Sequence, residues 1–234
     1  MKFSISDEIF QRFPDFVCGV VICKEVDNSG ESGDLASRLR AAESDIRRQL
    51  TVETLSTEPH FLSWRRAYSS FGTDPTKSKC SSEALVRRVL KGNDLRHISK
   101  LVDAYNYVSL RYVTPVGGED LGSVGGEGIA LKIASGQERF VPLGEAESER
   151  VDAGEVVYAA GNEILCRRWN WRESDVTKLT EATRDAFLVV DALPPLTKND
   201  VSRATNDLAE LVTGECGGTA RIFLLDAENA NIDW

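Results

Sequence analysis

Histidine is nearly absent: the chain has only His60 and His97, and neither sits beside a cysteine or a second histidine at ligand spacing. Zinc or another histidine-bound metal is therefore not expected. The five cysteines (Cys18, Cys23, Cys80, Cys166, Cys216) are odd in number, widely spaced and lack any CxxC. This pattern points to reduced thiols rather than a disulfide framework, and so to the cytoplasm. No apolar run approaches the roughly 18 residues that a bilayer span requires, so no membrane association is expected. The first residues, MKFSISDEIFQRFPDF, lack the basic start, apolar core and small-residue cleavage site of a secretory leader. Neither GxxxxGK[ST] nor GxGxxG occurs, which argues against nucleotide binding, and no cofactor is expected. GxSxG is missing too, and nothing in the sequence pairs Cys166 with a histidine, so it reads as a buried structural thiol.

Net positive charge is also lacking: the formal charge is −9, which argues against nonspecific nucleic-acid binding. That charge is unevenly spread. Leu62–Tyr112 carries ten basic and four acidic residues, a local +6, whereas Glu119–Glu163 carries three basic and ten acidic, a local −7. One face for a polyanion and another that avoids it would produce this split, as would two solvated surfaces that differ.

The rest of the composition is that of a globular chain of 234 residues, 41% hydrophobic and 28% charged. Residues 1–234 read as a single domain. Phe16–Val26 reads as a buried strand. Helices are expected at Leu35–Thr51, Thr57–Phe71 with Pro59 in its first turn, Ser82–Lys91 stopped by Gly92, Ile98–Tyr112 and Leu196–Val212. The glycine-rich GGEDLGSVGGEG (Gly117–Gly128) reads as tight turns. Short strands are expected at Ile129–Ala134, Glu138–Pro142, Glu155–Ala160, Ile164–Trp171, Thr183–Asp191 and Thr219–Asp226. Helices first and short strands later, with no βαβ alternation, indicate α+β.

CRRWNWR (Cys166–Arg172) sets three arginines and two tryptophans in seven residues. In a strand, Arg168, Asn170 and Arg172 would share one face and Arg167, Trp169 and Trp171 the other. The tryptophans would anchor the strand. The opposite face would offer guanidinium forks and an amide to carboxylate, phosphate or ribose oxygens. An internal ion-pair network with nearby acids is the other reading.

VDAYNYVSLRYVTPVGGEDL (Val102–Leu121) resembles the editing and tRNA-binding domain, called B-three/B-four, of the phenylalanyl-tRNA synthetase beta chain. Val102, Asp103, Asn106, Tyr107, Val108, Pro115 and Asp120 carry the match. SSEALVRRVLKG and CRRWNWRESDVTKLTEATRD resemble the free-standing homologues of that domain more strongly. The similarity runs from about Trp64 to Asp191. It implies a layered core of short, mostly antiparallel strands with flanking helices, and a second sieve that hydrolyses an amino acid wrongly attached to tRNA.

By the same resemblance, Asn106 and Tyr105 take the catalytic positions. Gly117 and Asp191 take substrate-binding ones, joined by Arg168, Asn170 and Arg172 from the polar face of CRRWNWR. The basic segment supplies Arg65, Arg66, Arg87, Arg88 and Lys91 to tRNA. Tyr105 stands where the family has threonine and Gly117 where it has histidine, departures that argue against tyrosine specificity. The expectation is an editing-type domain acting in trans on the charged 3′ end of tRNA. A noncatalytic RNA-binding module and an amino-acid-binding protein without tRNA contact are the alternatives. An ATP-binding synthetase core has no room here, and no protein partner is indicated.

Overall fold

The structure, a computed structural model, describes residues 1–126 and 128–234. The chain opens with β1 (Lys2–Ile5), the short helix α1 (Asp7–Arg12) and β2 (Val17–Lys24). Four helices follow: α2 (Gly33–Gln49), α3 (Pro59–Ser70), α4 (Ser81–Leu90) and α5 (Lys100–Tyr112). Then come β3 (Val116–Asp120), β4 (Ile129–Ile133), β5 (Arg139–Phe140), β6 (Glu149–Arg150), β7 (Val156–Ala160), β8 (Glu163–Arg167), β9 (Arg172–Glu173) and β10 (Ala186–Ala192). The long helix α6 (Lys198–Cys216) leads to β11 (Thr219–Leu225) and β12 (Asn231–Asp233).

Helix ends follow local chemistry. Ser32 Oγ accepts from the Leu35 amide at the start of α2, and Thr197 and Asp200 form a reciprocal capping box on α6. Pro59 opens α3, where its missing N–H costs nothing. At the end of α5, Val113 adopts a left-handed conformation (φ 52°) two residues before Pro115.

Two sheets form. One runs β12-β1-β4-β7-β8-β5-β6, with β9 paired to β8, and the other runs β11-β2-β10-β3. Among the described residues every pairing is antiparallel except β1 with β4 and β5 with β8. The protein is thus α+β, with short, mostly antiparallel strands and flanking helices.

The alternation of β2 and β10 explains the layering. Cys18, Val20 and Ile22 of β2, with Phe187 and Val189 of β10, join a core shared with Phe3, Leu131 and Tyr158 of the first sheet. Phe3 and Phe187 meet edge to face across this layer, ring centroids 5.0 Å apart. Val17, Val21 and Cys23, with Leu188 and Val190, face α5 and α6 instead. β2 is therefore apolar on both faces because both are covered. The seam with α6 is tight: a Cβ on Gly19 would lie 1.8 Å from Thr205 Oγ1. None of the described helices is long and apolar enough to cross a membrane.

Several elements depart from the sequence expectation. β1, α1 and β12 carry too few residues to show a period. β3 occupies Val116–Asp120, the start of the glycine-rich segment expected to turn. β8 ends at Arg167, four residues before the expected Trp171.

Candidate functional site

The early stop of β8 decides what CRRWNWR does. Arg168 and Trp169 adopt φ of 50° and 67°, a sparsely populated conformation for non-glycine residues. The alternation ends there, so the expected grouping of Arg168, Asn170 and Arg172 on one face is not formed. Trp169 swings into the core with no exposure, meeting Phe13, Phe16 and Trp64 at ring-centroid distances of 4.8, 4.9 and 5.1 Å. Trp171 is half-buried instead, with the Arg168 guanidinium 4.6 Å over its ring.

The arginines turn towards acids. Arg167, 6% exposed, holds Glu155 through Nε (2.9 Å) and Nη2 (2.7 Å) and reaches Glu149 through Nη1 (3.1 Å). Arg168 donates to Ser78 Oγ (2.6 Å) and to Glu155 (3.4 Å). Arg172 pairs with Glu145 at 2.7 Å. The internal network is what forms, and it consumes the guanidinium forks that the sequence left open for ligands.

Asn170 alone of the three points elsewhere. Its Nδ2 donates to Asp191 Oδ2 (3.1 Å), and its Oδ1 accepts from the Tyr68 hydroxyl (3.0 Å). The other oxygen of Asp191 accepts from Tyr158 at 2.6 Å. Asp191 is 1% exposed, and burial pushes its carboxyl up to about 6. Two further carboxyls lie close by. Glu119, on β3, accepts from Thr177 Oγ1 at 2.5 Å and faces Glu173 in the same wall. Burial raises both, Glu173 to about 7, and the charge of Glu173 drives Glu119 well above the carboxylate range. Two acids this close titrate as a pair.

These groups surround a cavity of about 20 Å³ between the two sheets, lined among others by Gly117, Glu119, Trp169, Asn170, Glu173 and Asp191. That volume holds about one water molecule. Glycine keeps it open: a Cβ at Gly117 would lie 3.0 Å from Glu173 Oε1. The indole Nε1 of Trp169 is buried with no acceptor among the described residues.

Of the residues read as substrate-binding, the structure brings Gly117, Asn170 and Asp191 into this wall and leaves Arg168 and Arg172 outside it. Asn106 and Tyr105 lie on α5, half-buried and beyond the cavity lining. Burial, then Glu173 and Glu119, raises the Tyr105 phenol, so it sits within the field of the acid pair.

The basic residues divide. Arg65 grips the fully buried Glu83 by Nε (2.9 Å) and Nη2 (2.5 Å), and Arg87 adds a bond at 3.3 Å. Arg66, Arg88 and Lys91 are exposed, with no ion pair among the described residues.

All five cysteines are unpaired and buried. Burial raises Cys18 and Cys166 well above the thiol range, Cys23 and Cys80 to about 12 and Cys216 to about 11, so none supplies a thiolate at neutral pH. His60 and His97 pair with Glu58 and Asp103, and neither is in the cavity wall. Among the described residues no group of three or more histidine, cysteine or acidic side chains is arranged to hold a metal ion.

Glu119, Glu173 and Tyr158 are site residues that the sequence does not single out. Glu119 and Glu173 stand in polar stretches that look solvated, and only the pairing of β3 with β10 and of β9 with β8 turns them towards the cavity. Asp191 carries a signal of its own, a lone acid in the apolar run AFLVVDAL.

A family model described as the B3/4 domain matches residues 63–216. The chain is also similar to a solved structure, an N-terminal fragment of the phenylalanyl-tRNA synthetase beta-subunit from Pyrococcus horikoshii. Identity is 14% and the TM-score 0.47, with 94% of this chain and 50% of that one covered, so the chain spans about half the length of that fragment. No curated protein matches.

Proposed function

The chain belongs to the B3/4 domain family, and we propose that it binds the aminoacylated 3′ end of a tRNA and hydrolyses a mismatched aminoacyl ester in trans. One observation carries this reading. Two buried carboxyls, Asp191 and Glu119, and the half-buried Glu173 line one cavity into which, among the described residues, no lysine or arginine reaches. Such a site favours a small cationic group, and the α-ammonium of an aminoacyl ester is one.

The chemistry asked of the protein is modest. The ester is already activated, so a positioned water and a stabilised oxyanion suffice. Glu173, held at about 7, is matched to a general base at neutral pH. It takes a proton from water as the water oxygen attacks the ester carbonyl. The tetrahedral intermediate then collapses, and the ribose oxygen leaves with a proton. Trp169 Nε1–H, which meets no acceptor among the described residues, is available to the oxyanion or the water. Asn106 and Tyr105 of α5 are assigned to the approach, where the amide would position the carbonyl. The five unpaired thiols suit a reducing compartment such as the cytoplasm.

The test is a deacylation screen of the purified chain over a panel of mischarged tRNAs. The expected outcome is release of one amino acid well above the uncatalysed rate, lowered about 10- to 1000-fold by Asn106→Ala. Absence of release across the panel overturns hydrolysis. One observation favours a second reading, a noncatalytic tRNA-binding module: about 20 Å³ does not hold an amino-acid side chain unless the walls part. Salt-sensitive tRNA binding without release would establish it. Binding of a free amino acid without tRNA would support the remaining alternative.

A further inference from the structure

We propose that the groove between α1 and α3 binds a phosphodiester near the 3′ end of a single-stranded nucleic acid, gripped by Arg12 and Arg66. The proposal rests on the reading of this chain as a binder of aminoacylated tRNA ends, and adds where the strand lies and which way it points. The groove, of about 340 Å³, is lined by Arg12 at the end of α1, the adjoining Phe13, Arg66 on α3 and Pro194 beyond β10. Fifty-four positions separate the two arginines in sequence, and only the fold brings them together.

Both guanidiniums are exposed, and neither has an ion pair among the described residues. Arg65, Arg87, Arg167, Arg168 and Arg172, by contrast, all hold acids. Asp15 also borders the groove without pairing with either. The two hydroxyls nearby are committed: Ser63 donates to the Pro194 carbonyl and Ser70 to that of Ala67. The donors left for a ligand are therefore the arginine forks, whose planar geometry matches phosphate oxygens.

Direction follows from Trp169. One part of this side chain lines the acid cavity with Asn170 and Asp191, and its ring meets Phe13 of the groove at 4.8 Å. An aminoacylated 3′ end is itself bipolar, with phosphodiester anions on one side of the terminal ribose and an α-ammonium on the other. The basic groove and the acid cavity, one aromatic layer apart, match that order. The reversed strand would set phosphate against three carboxyls.

The experiment measures anisotropy of a labelled single-stranded RNA oligonucleotide ending in CCA, over a salt series, with the intact chain. Arg12→Glu with Arg66→Glu, and the milder Arg12→Gln with Arg66→Gln, are compared with Arg150→Glu plus Arg221→Glu, a pair of exposed arginines elsewhere that makes the same change in net charge. The groove reversal is expected to weaken binding about tenfold or more and to reduce the salt slope by roughly 0.7 for each phosphate no longer neutralised, with the glutamine pair between it and wild type. The control pair should bind like wild type. Equal weakening in groove and control variants, no weakening in the groove variants, or no binding by the wild type each overturns the proposal. Deacylation measured on the same proteins separates it from hydrolysis. Release that ignores Arg12 and Arg66 sinks the groove alone. Binding that depends on them without release sinks hydrolysis alone.

Discussion

Asn170 donates its amide N–H to Asp191 Oδ2 across 3.1 Å, tying the CRRWNWR turn to the end of β10. Tyr68 from α3, bonded to Asn170, and Tyr158 from β7, bonded to Asp191, complete the set, so four elements meet in one network. A buried polar network of this kind is costly to leave half-satisfied. Asn170→Ala is expected to cost about 1–3 kcal/mol by removing a donor from Asp191 and an acceptor from Tyr68. Urea denaturation checks this, and a change below a few tenths would mean that water replaces the amide freely.

The acid cluster gives stability a pH dependence of definite sign. Asp191 rises from 3.8 to about 6 and Glu173 from 4.5 to about 7, so across that range the native state binds more protons than the unfolded one. Stability should therefore fall as pH rises from about 4 through about 7, and Glu119, raised further, extends the decline above that. Glu173→Gln should flatten the upper part of this decline and be more stable than wild type at about pH 8, by roughly 1–3 kcal/mol. Denaturation at about pH 5 and about pH 8 decides it: a slope unchanged by the substitution would assign the titration elsewhere.

Trp169 and Arg167 are the residues of the CRRWNWR turn that serve the fold. Trp169→Ala should cost about 3–5 kcal/mol, since the ring is fully buried among three aromatic neighbours. Arg167→Ala should cost about as much, because Glu155, 3% exposed, would keep, of its arginine contacts, only the long 3.4 Å one with Arg168. Arg168→Ala should cost only about 1 kcal/mol: its side chain is 23% exposed, and Arg167 still holds Glu155. Thermal melts of the three variants give the ranking, and an Arg168 effect equal to that of Arg167 would refute it.

Adjacent glycines of β3 should respond differently to alanine. At Gly118 a Cβ would lie 2.3 Å from Leu188 Cδ2 and 2.7 Å from the Phe187 carbonyl oxygen, so β3 and β10 must separate. Overpacking of this kind costs about 1–3 kcal/mol. At Gly117 the one neighbour is the Glu173 carboxyl, 3.0 Å away, which can shift. Gly117→Ala should leave melting nearly intact while moving the titration of Glu173, and carboxyl carbon NMR would follow that ionisation.

Much of this fold is legible in residue order. α2, α4, α5 and the strands β2, β4, β7 and β11 lie within about two residues of their sequence positions, because each presents one apolar period long enough to count. β8 stops short of its expected end because the left-handed Arg168 and Trp169 leave no mark in composition. That one difference reassigns every side chain beyond it, since alternation fixes faces only while the strand persists. The basic segment misleads for a related reason. Net charge along a chain cannot show that Arg65 and Arg87 turn inward onto Glu83 while Arg66 turns out. Gly117, Asn170 and Asp191 do reach one cavity as a group, but Glu119 and Glu173 emerge only once both sheets are in place.

The contact of Gly19 with Thr205 makes those two positions a single genetic unit. The space at residue 19 is defined by the side chain at residue 205, and the Thr205 hydroxyl is anchored to the Val201 carbonyl at 2.7 Å. The effect of a change at either site is therefore conditional on the other, and their free energies will not add. A lineage could enlarge residue 19 only after residue 205 had shrunk, so the order of mutation, and not only the final pair, is constrained at the seam between α6 and β2.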